Sequence, residues 1–181
     1  MIKPLRFEGV FPILATPFFE DESLDLASLE RLVRFMVSLG VEGVTVLGVL
    51  GESNRMVDAE REQVIKTAVA AAGDCPVIVG TSHSGTLAAL KLSQIAQELG
   101  AAAVMISPQY EAIPSEQRVF EYYQRIAAGI NLPVVVQDHP PSSQVHMSVG
   151  LLLRLINEIP TVACLKAEAP PTLSKISALL D

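Results

Sequence analysis

Residues 161–170 read TVACLKAEAP. The run from Val162 to Leu165 is apolar and partly β-branched, the pattern of a short buried strand. It stops on Lys166, followed by Glu168 and the breaker pair Pro170-Pro171. In a parallel sheet, the C-terminal end of such a strand opens where α/β enzymes keep their chemistry. An amine held there among apolar neighbours has its charged form disfavoured, which suits attack on a carbonyl and formation of a Schiff base. The plain alternative is a lysine that snorkels out of the end of a strand.

Upstream, the same strand-then-helix unit recurs. GVFPILATPF (9–18) reads as a first strand ending at Thr16-Pro17. A helix follows with Leu26, Leu29, Leu32, Val33, Met36 and Val37 at helical spacing, capped by Asp25 or Ser23 and closed by Gly40. VEGVTVLG (41–48) is a second strand that leads through VLGESNRM to a helix over about 58–72. CPVIVG (75–80), AAAVMIS (101–107) and LPVVVQ (132–137) are the third to fifth strands. Their helices fall within LAALKLSQIAQELG (87–100), at about 115–128, and within VGLLLRLINEI (149–159). TVACLK is the sixth strand, and PPTLSKISALLD opens a sixth helix with Pro171 near its first turn.

Strict βα alternation means a parallel sheet with helical crossovers. Two architectures fit: a doubly wound open sheet, and a (β/α)8 barrel of TIM type with six βα units present and the last two strands and helices missing. No Gly-rich dinucleotide fingerprint follows the first strand, where FPILATPF stands instead. The loops after the strands are longer and more polar than those before them, as in a barrel with one working face. The expectation is therefore a single, incomplete TIM-barrel domain over residues 1–181. A complete barrel needs roughly 250 residues. Six units do not close an eight-stranded barrel, so the first and sixth strands are expected to be left as unpaired apolar edges.

Composition narrows the partners. The chain is 50 % hydrophobic, without tryptophan, and has a mean hydropathy of +0.40. No apolar run reaches the length of a membrane span, so the hydropathy fits strands buried on both faces. A net charge of −7 argues against nucleic acid. The first residues lack an uninterrupted apolar core and a small-residue cleavage site, so no signal peptide is expected. Cys75 and Cys164 read as reduced core residues of a cytoplasmic protein. No Cys/His spacing suggests a metal, and no cofactor is expected.

Every predicted strand delivers polar or titratable groups to its C-terminal end. They are Thr16; Gly48, Gly51, Glu52 and Ser53; Thr81, Ser82 and His83; Ser107 and Tyr110; Gln137, Asp138 and His139; and Lys166 with Glu168. In a barrel these converge on one mouth. Several have a bland reading as well. GVLGES serves equally as a tight turn into a helix, with Glu52 favoured by the dipole, or as a loop whose Leu50 and Gly51 amides hold a small carboxylate. TSHSG reads as a polar loop rather than an anion nest, with His83 near the site and given no role. Tyr110 packs between Pro108 and Pro114, or faces the site. Asp138, in the rigid turn DHPP, accepts backbone hydrogen bonds or titrates.

These motifs together resemble the dihydrodipicolinate synthase / N-acetylneuraminate lyase family of class I pyruvate aldolases, over nearly all of the chain. ATPF is similar to the family's T-P-F, GVLGES to its G-T-T-G-E-S, and SPQY to its P-Y-Y; Lys166 after VACL resembles its Schiff-base lysine. The resemblance implies a (β/α)8 barrel, a homo-oligomer, and condensation of Lys166 with the keto group of a small-molecule 2-keto acid such as pyruvate. Departures from the family pattern are as informative. Gln137 stands where the proton-relaying tyrosine of Y-N-x-P is expected, and an amide does not titrate. Ser142 stands in place of the arginine that binds a second carboxylate, Val49 and Leu50 replace paired hydroxyls, and Gln109 replaces the first tyrosine of P-Y-Y while Tyr110 matches the second. The implied function is a lyase, aldolase or dehydratase, acting on pyruvate or a 2-keto-3-deoxy acid, and not a typical dihydrodipicolinate synthase. Lys166 is the electron sink. Glu168 is the first choice of proton carrier, ahead of Asp138, His139 or a bound water, with Tyr110 assisting. The alternative is a degenerate, non-catalytic relative kept for assembly or ligand binding.

Overall fold

A computed structural model describes residues 5–110 and 115–180. The expected contact of Tyr110 with Pro114 therefore lies outside the described residues. Among those residues the chain forms β1 (Val44–Val46), β2 (Val77–Gly80), β3 (Ala103–Ile106), β4 (Val134–Asp138) and β5 (Val162–Ala167). The helices are α1 (Leu26–Ser38), α2 (Asp58–Ala72), α3 (Thr86–Glu98), α4 (Glu116–Ala128), α5 (Pro140–Ser143), α6 (Val149–Glu158) and α7 (Thr172–Leu180). Two compact units are resolved. One takes in the chain up to Gly80 together with Ile95–Val104; the other comprises Thr81–Gln94 and the chain from Met105 onward.

In the first unit, β1 pairs with β2 in parallel, with Val44 opposite Val77 and Val46 opposite Val79. All four side chains are buried, as a parallel strand covered on both faces requires. The expected first strand is reduced to a single bridge, Ile13 with Thr45. Its backbone bonds are Leu14 N–H to the Thr45 carbonyl and Thr45 N–H to the Pro12 carbonyl, each 2.8 Å. Pro12 and Pro17 have no N–H to give, so the ladder does not propagate. The described residues thus hold five strands where six were expected.

Asp25 caps α1 by accepting from Ser28 N–H at 2.8 Å, and Leu29 and Val33 form its buried stripe. In α2 the Glu60 carboxylate reaches back to the Val57 N–H at 2.9 Å, while Val64, Ile65 and Ala68 face inward. Each such valine, leucine or isoleucine contributes about 1.5–3 kcal/mol by leaving water.

The link from β1 to α2 is drawn tight by two glycines. Leu47 adopts φ +58°, and a Cβ on Gly80 would lie 2.0 Å from its carbonyl oxygen. A Cβ on Gly51 would meet Leu47 N at 3.0 Å and Leu14 O at 3.2 Å. Only glycine lets these backbones approach so closely.

In the second unit, β4 and β5 pair in parallel over Val135–Cys164, Val136–Leu165, Gln137–Lys166 and Asp138–Ala167. The register shifts between Val134 and Val135, so Ala163 is an extra, exposed residue on β5. In an unbroken ladder from Val134–Val162, Gln137 would face Leu165 and the lysine would be turned over. The bulge sets Lys166 beside Gln137. Among the described residues β4 is the one sheet neighbour of β5. β4 is buried throughout whereas β5 is half-exposed beyond Val162, as befits an edge.

Helix α4 buries Phe120, Tyr123 and Ile126, and the Tyr123 hydroxyl donates to the Ile106 carbonyl at 2.8 Å. Arg154 of α6 lies 3.8 Å over the Phe120 ring, and α6 buries Leu151, Leu152 and Leu155. DHPPSS, expected as a loop, contains one helical turn, α5, with Pro140 and Pro141 in its first positions, where the missing N–H groups cost nothing. Cys75 and Cys164 are free thiols, half-buried rather than core, and burial pushes both thiols up.

Candidate active site

Lys166 is the penultimate residue of β5, and its Nζ is 2.6 Å from Glu168 Oε1. The other carboxylate oxygen, Oε2, accepts from Gln137 Nε2 at 3.0 Å. Three neighbouring residues therefore form one cluster: amine, carboxylate and carboxamide. Its geometry follows from the sheet. Lys166 and Gln137 are register partners and share a face. Glu168 is two residues beyond the lysine, so it returns to the same face, and its N–H extends the ladder by donating to the Asp138 carbonyl at 3.1 Å.

Gln137 is buried, whereas the Lys166 and Glu168 side chains each keep 31 % of their surface in solvent. The ion pair is half-buried. Burial pushes the Glu168 carboxyl up, but hydrogen bonds from Lys166 and Gln137, with the charges of Lys166 and His139, outweigh it and hold the group below its ordinary value. Glu168 is thus a carboxylate at neutral pH.

Asp138 is placed differently. It is fully buried on the opposite face of β4 from Gln137. Its Oδ2 accepts from Lys175 Nζ of α7 at 2.6 Å, and the same nitrogen donates to the Met147 carbonyl at 2.6 Å. Asp138 is brought to Lys175, not to Lys166. His139 is half-buried and hydrogen-bonds Ser142 Oγ through Nδ1 at 2.8 Å.

Tyr110 is 61 % exposed. It borders a cavity of about 350 Å³ with Gln109, Arg118, Tyr122, Val145 and His146, and Lys166 is not part of that wall. His83 is fixed within its own loop: Nδ1 accepts from Gly85 N–H at 2.9 Å, and its carbonyl accepts from the Tyr122 hydroxyl at 3.0 Å. Burial pushes the Tyr122 phenol up to about 12.

In the first unit, the buried Thr16 hydroxyl donates to the Gly51 carbonyl at 2.7 Å and so fixes the loop Gly48–Glu52. Gly48 is buried, Val49 and Leu50 are exposed, and Glu52 takes φ +55° and pairs with Arg55 at 3.2 Å on the surface. The loop enters a three-residue 3₁₀ turn, Ser53–Arg55, before α2 begins at Asp58. A full helix start does not follow Gly51 directly.

The sequence reading missed Lys175 and the bulge at Ala163. Lys175 lies within an amphipathic stretch, 37 positions from its partner, and nothing local marks it as buried. Among the described residues no group of histidine, cysteine and carboxylate side chains could hold a metal ion, and no helix is long and apolar enough to cross a membrane.

Comparison with known proteins places this cluster in context. A family model described as the dihydrodipicolinate synthetase family matches residues 6–179. An L-2-keto-3-deoxyarabonate dehydratase from Azospirillum brasilense is 38 % identical over 180 residues, covering 97 % of this chain and 58 % of that enzyme. A 4-hydroxy-tetrahydrodipicolinate synthase from Methanothrix thermoacetophila is 34 % identical over 176 residues, again 97 % of this chain and 58 % of the other. The crystal structure of dihydrodipicolinate synthase from Rhodopseudomonas palustris superposes with a TM-score of 0.88 at 34 % identity, over 95 % of this chain and 57 % of that one. The chain therefore spans somewhat more than half the length of the relatives it matches.

Proposed function

The chain belongs to the dihydrodipicolinate synthetase family, with its TIM-barrel type of fold, and we propose that it supplies the nucleophile and proton carrier of a Schiff-base lyase acting on a 2-keto acid. The substrate class is a 2-keto-3-deoxy acid and the reaction a dehydration. The observation that carries this is the 2.6 Å pair of Lys166 Nζ with Glu168 Oε1, steadied by Gln137.

Attack on a ketone requires a neutral amine. Glu168 takes the proton that Lys166 gives up, and the freed nitrogen adds to C2 of the acid. The carbinolamine oxygen then recovers that proton with a second from the nitrogen and departs as water, leaving an iminium. The iminium acidifies C3, and the Glu168 carboxylate removes a proton there to give the enamine. Where C4 bears a hydroxyl, the enamine expels it, and Glu168 returns its proton to the leaving oxygen. Hydrolysis of the resulting unsaturated iminium restores Lys166.

Gln137 cannot titrate, so proton traffic falls to Glu168. Support for dehydration comes from the A. brasilense relative, named for that reaction on L-2-keto-3-deoxyarabonate. A homo-oligomer is part of the same proposal. No step is assigned to Tyr110, His83 or His139.

The test is borohydride reduction of the 181-residue chain with pyruvate and a panel of 2-keto-3-deoxy acids, followed by peptide mass spectrometry. The expected product is Lys166 carrying the mass of the acid less one oxygen. Absence of an adduct with every acid at every pH tried would leave the non-catalytic alternative standing.

A further inference from the structure

We infer that Lys175 and Asp138 form a positioning pair that holds Glu168 against Lys166. The inference rests on the function proposed above. A carboxylate as deeply buried as that of Asp138 needs a cation, and Lys175 supplies it at 2.6 Å, its own side chain only 13 % exposed. Among the described residues Asp138 Oδ1 has no hydrogen-bond partner, so Lys175 is the one polar anchor of the side chain there.

What the pair accomplishes follows from where it sits. Glu168 lies outside β5, in the connection that runs through Ala169, Pro170 and Pro171 to α7. That connection is fastened at both ends to one residue. Glu168 N–H donates to the Asp138 carbonyl at 3.1 Å, and Lys175 Nζ, one turn into α7, donates to the Asp138 carboxylate. Lys175 also donates to the Met147 carbonyl and so ties in the segment that follows α5. Asp138 and Gln137 are adjacent on β4 and point to opposite faces, one gripping α7 and the other gripping the Glu168 carboxylate. Without the amine, the end of β4 carries an unpaired buried charge and has reason to shift. The groups facing Asp138 are Lys175 from α7 and Tyr123 from α4, whose phenol is pushed well up by burial first, then by Tyr122 and Asp138.

The experiment uses three variants of the full chain: Lys175→Met, Lys175→Arg, and the double variant Lys175→Met with Asp138→Asn. The double variant removes the stranded charge, so a folded protein lacking the pair is available even if the single variant does not fold. The first readout is a carbon-detected NMR titration of the Glu168 carboxyl, which needs no keto acid. In the parent the group titrates below an ordinary glutamate. In the double variant it is expected to move up toward the ordinary value, and Lys175→Arg is expected to keep most of the depression. The second readout is the rate of borohydride trapping at saturating keto acid, expected to fall about 100-fold in the double variant, as misplacement of a reacting group by an ångström does. An unmoved Glu168 titration in the folded double variant overturns the inference. So does parental trapping by that variant. If the parent itself forms no adduct, the proposed function fails, while the titration still decides whether the pair holds Glu168 in place.

Discussion

Replacing Glu168 with glutamine separates the chemistry of the cluster from its contribution to stability. Glu168→Gln keeps the shape of the side chain and deletes its charge. The ion pair it removes is about one-third exposed, at 31 % for each side chain. Pairs of that kind contribute about 1 kcal/mol or less. For a chain of this size, that lowers Tm by about 2–4 °C. The same substitution removes the group assigned to carry protons to and from Lys166, and loss of a positioned general acid–base costs about 10²–10⁴ in rate. The two effects differ enough to be told apart in one preparation. Thermal melting followed by circular dichroism measures the first; the rate of borohydride-trapped adduct formation at saturating keto acid, with Lys166→Ala as the blank, measures the second. The expected result is a folded protein with a nearly unchanged Tm and a trapping rate at least about 100-fold down. Trapping at the parental rate would refute the reasoning, because the proton would then have another carrier. A collapse of Tm by tens of degrees would refute it differently, by showing the pair to be structural.

Three further outcomes are expected. Gly80→Ala drives a methyl group into the Leu47 carbonyl, 2.0 Å from the new Cβ, and overpacking against backbone should cost about 3 kcal/mol in denaturant titrations. Tyr123→Phe removes the 2.8 Å bond to the Ile106 carbonyl in a fully buried site and should cost about 1 kcal/mol, measured the same way. The two phenols Tyr122 and Tyr123 have raised values, so their contribution to stability is complete below the ordinary tyrosine value of 10.0 and is lost as pH climbs through about 12 for Tyr122. Spectrophotometric titration should show Tyr122 and Tyr123 ionising only as the fold opens.

Glu168 sets the opposite limb. Its value is lowered in the folded chain, so its contribution is complete above the ordinary glutamate range and is lost as pH falls through the folded value. Acid unfolding of Glu168→Gln should accordingly begin from a lower plateau and show a shallower fall than the parent.

Much of this was legible in the amino-acid order because it is local. The apolar stripe of Leu29 and Val33, the cap at Asp25 and the start of α2 at Asp58 are each written within a few residues. So was the placement of Lys166 at the end of a strand, with Glu168 two residues on and therefore on the same side. What stayed hidden depends on distant partners. Val162–Leu165 reads as an even strand, and only the neighbouring β4 forces the extra residue at Ala163 out of step. Asp138 carries no mark that distinguishes a carboxylate facing a substrate from one facing Lys175, 37 positions away. The first strand failed for a reason that was visible: Pro12 and Pro17 stand in it, and their missing donors outweighed the apolar run.

The surplus residue at Ala163 has a bearing on how this lineage tolerates change in length. β5 already holds one more residue than β4 beside it. Loss of a single residue at the kink would straighten the strand and still leave the nucleophile opposite Gln137. Gain of one has no such slack to draw on and would rotate the amine to the far side. Drift by shortening is thus buffered at this spot, while drift by lengthening is not.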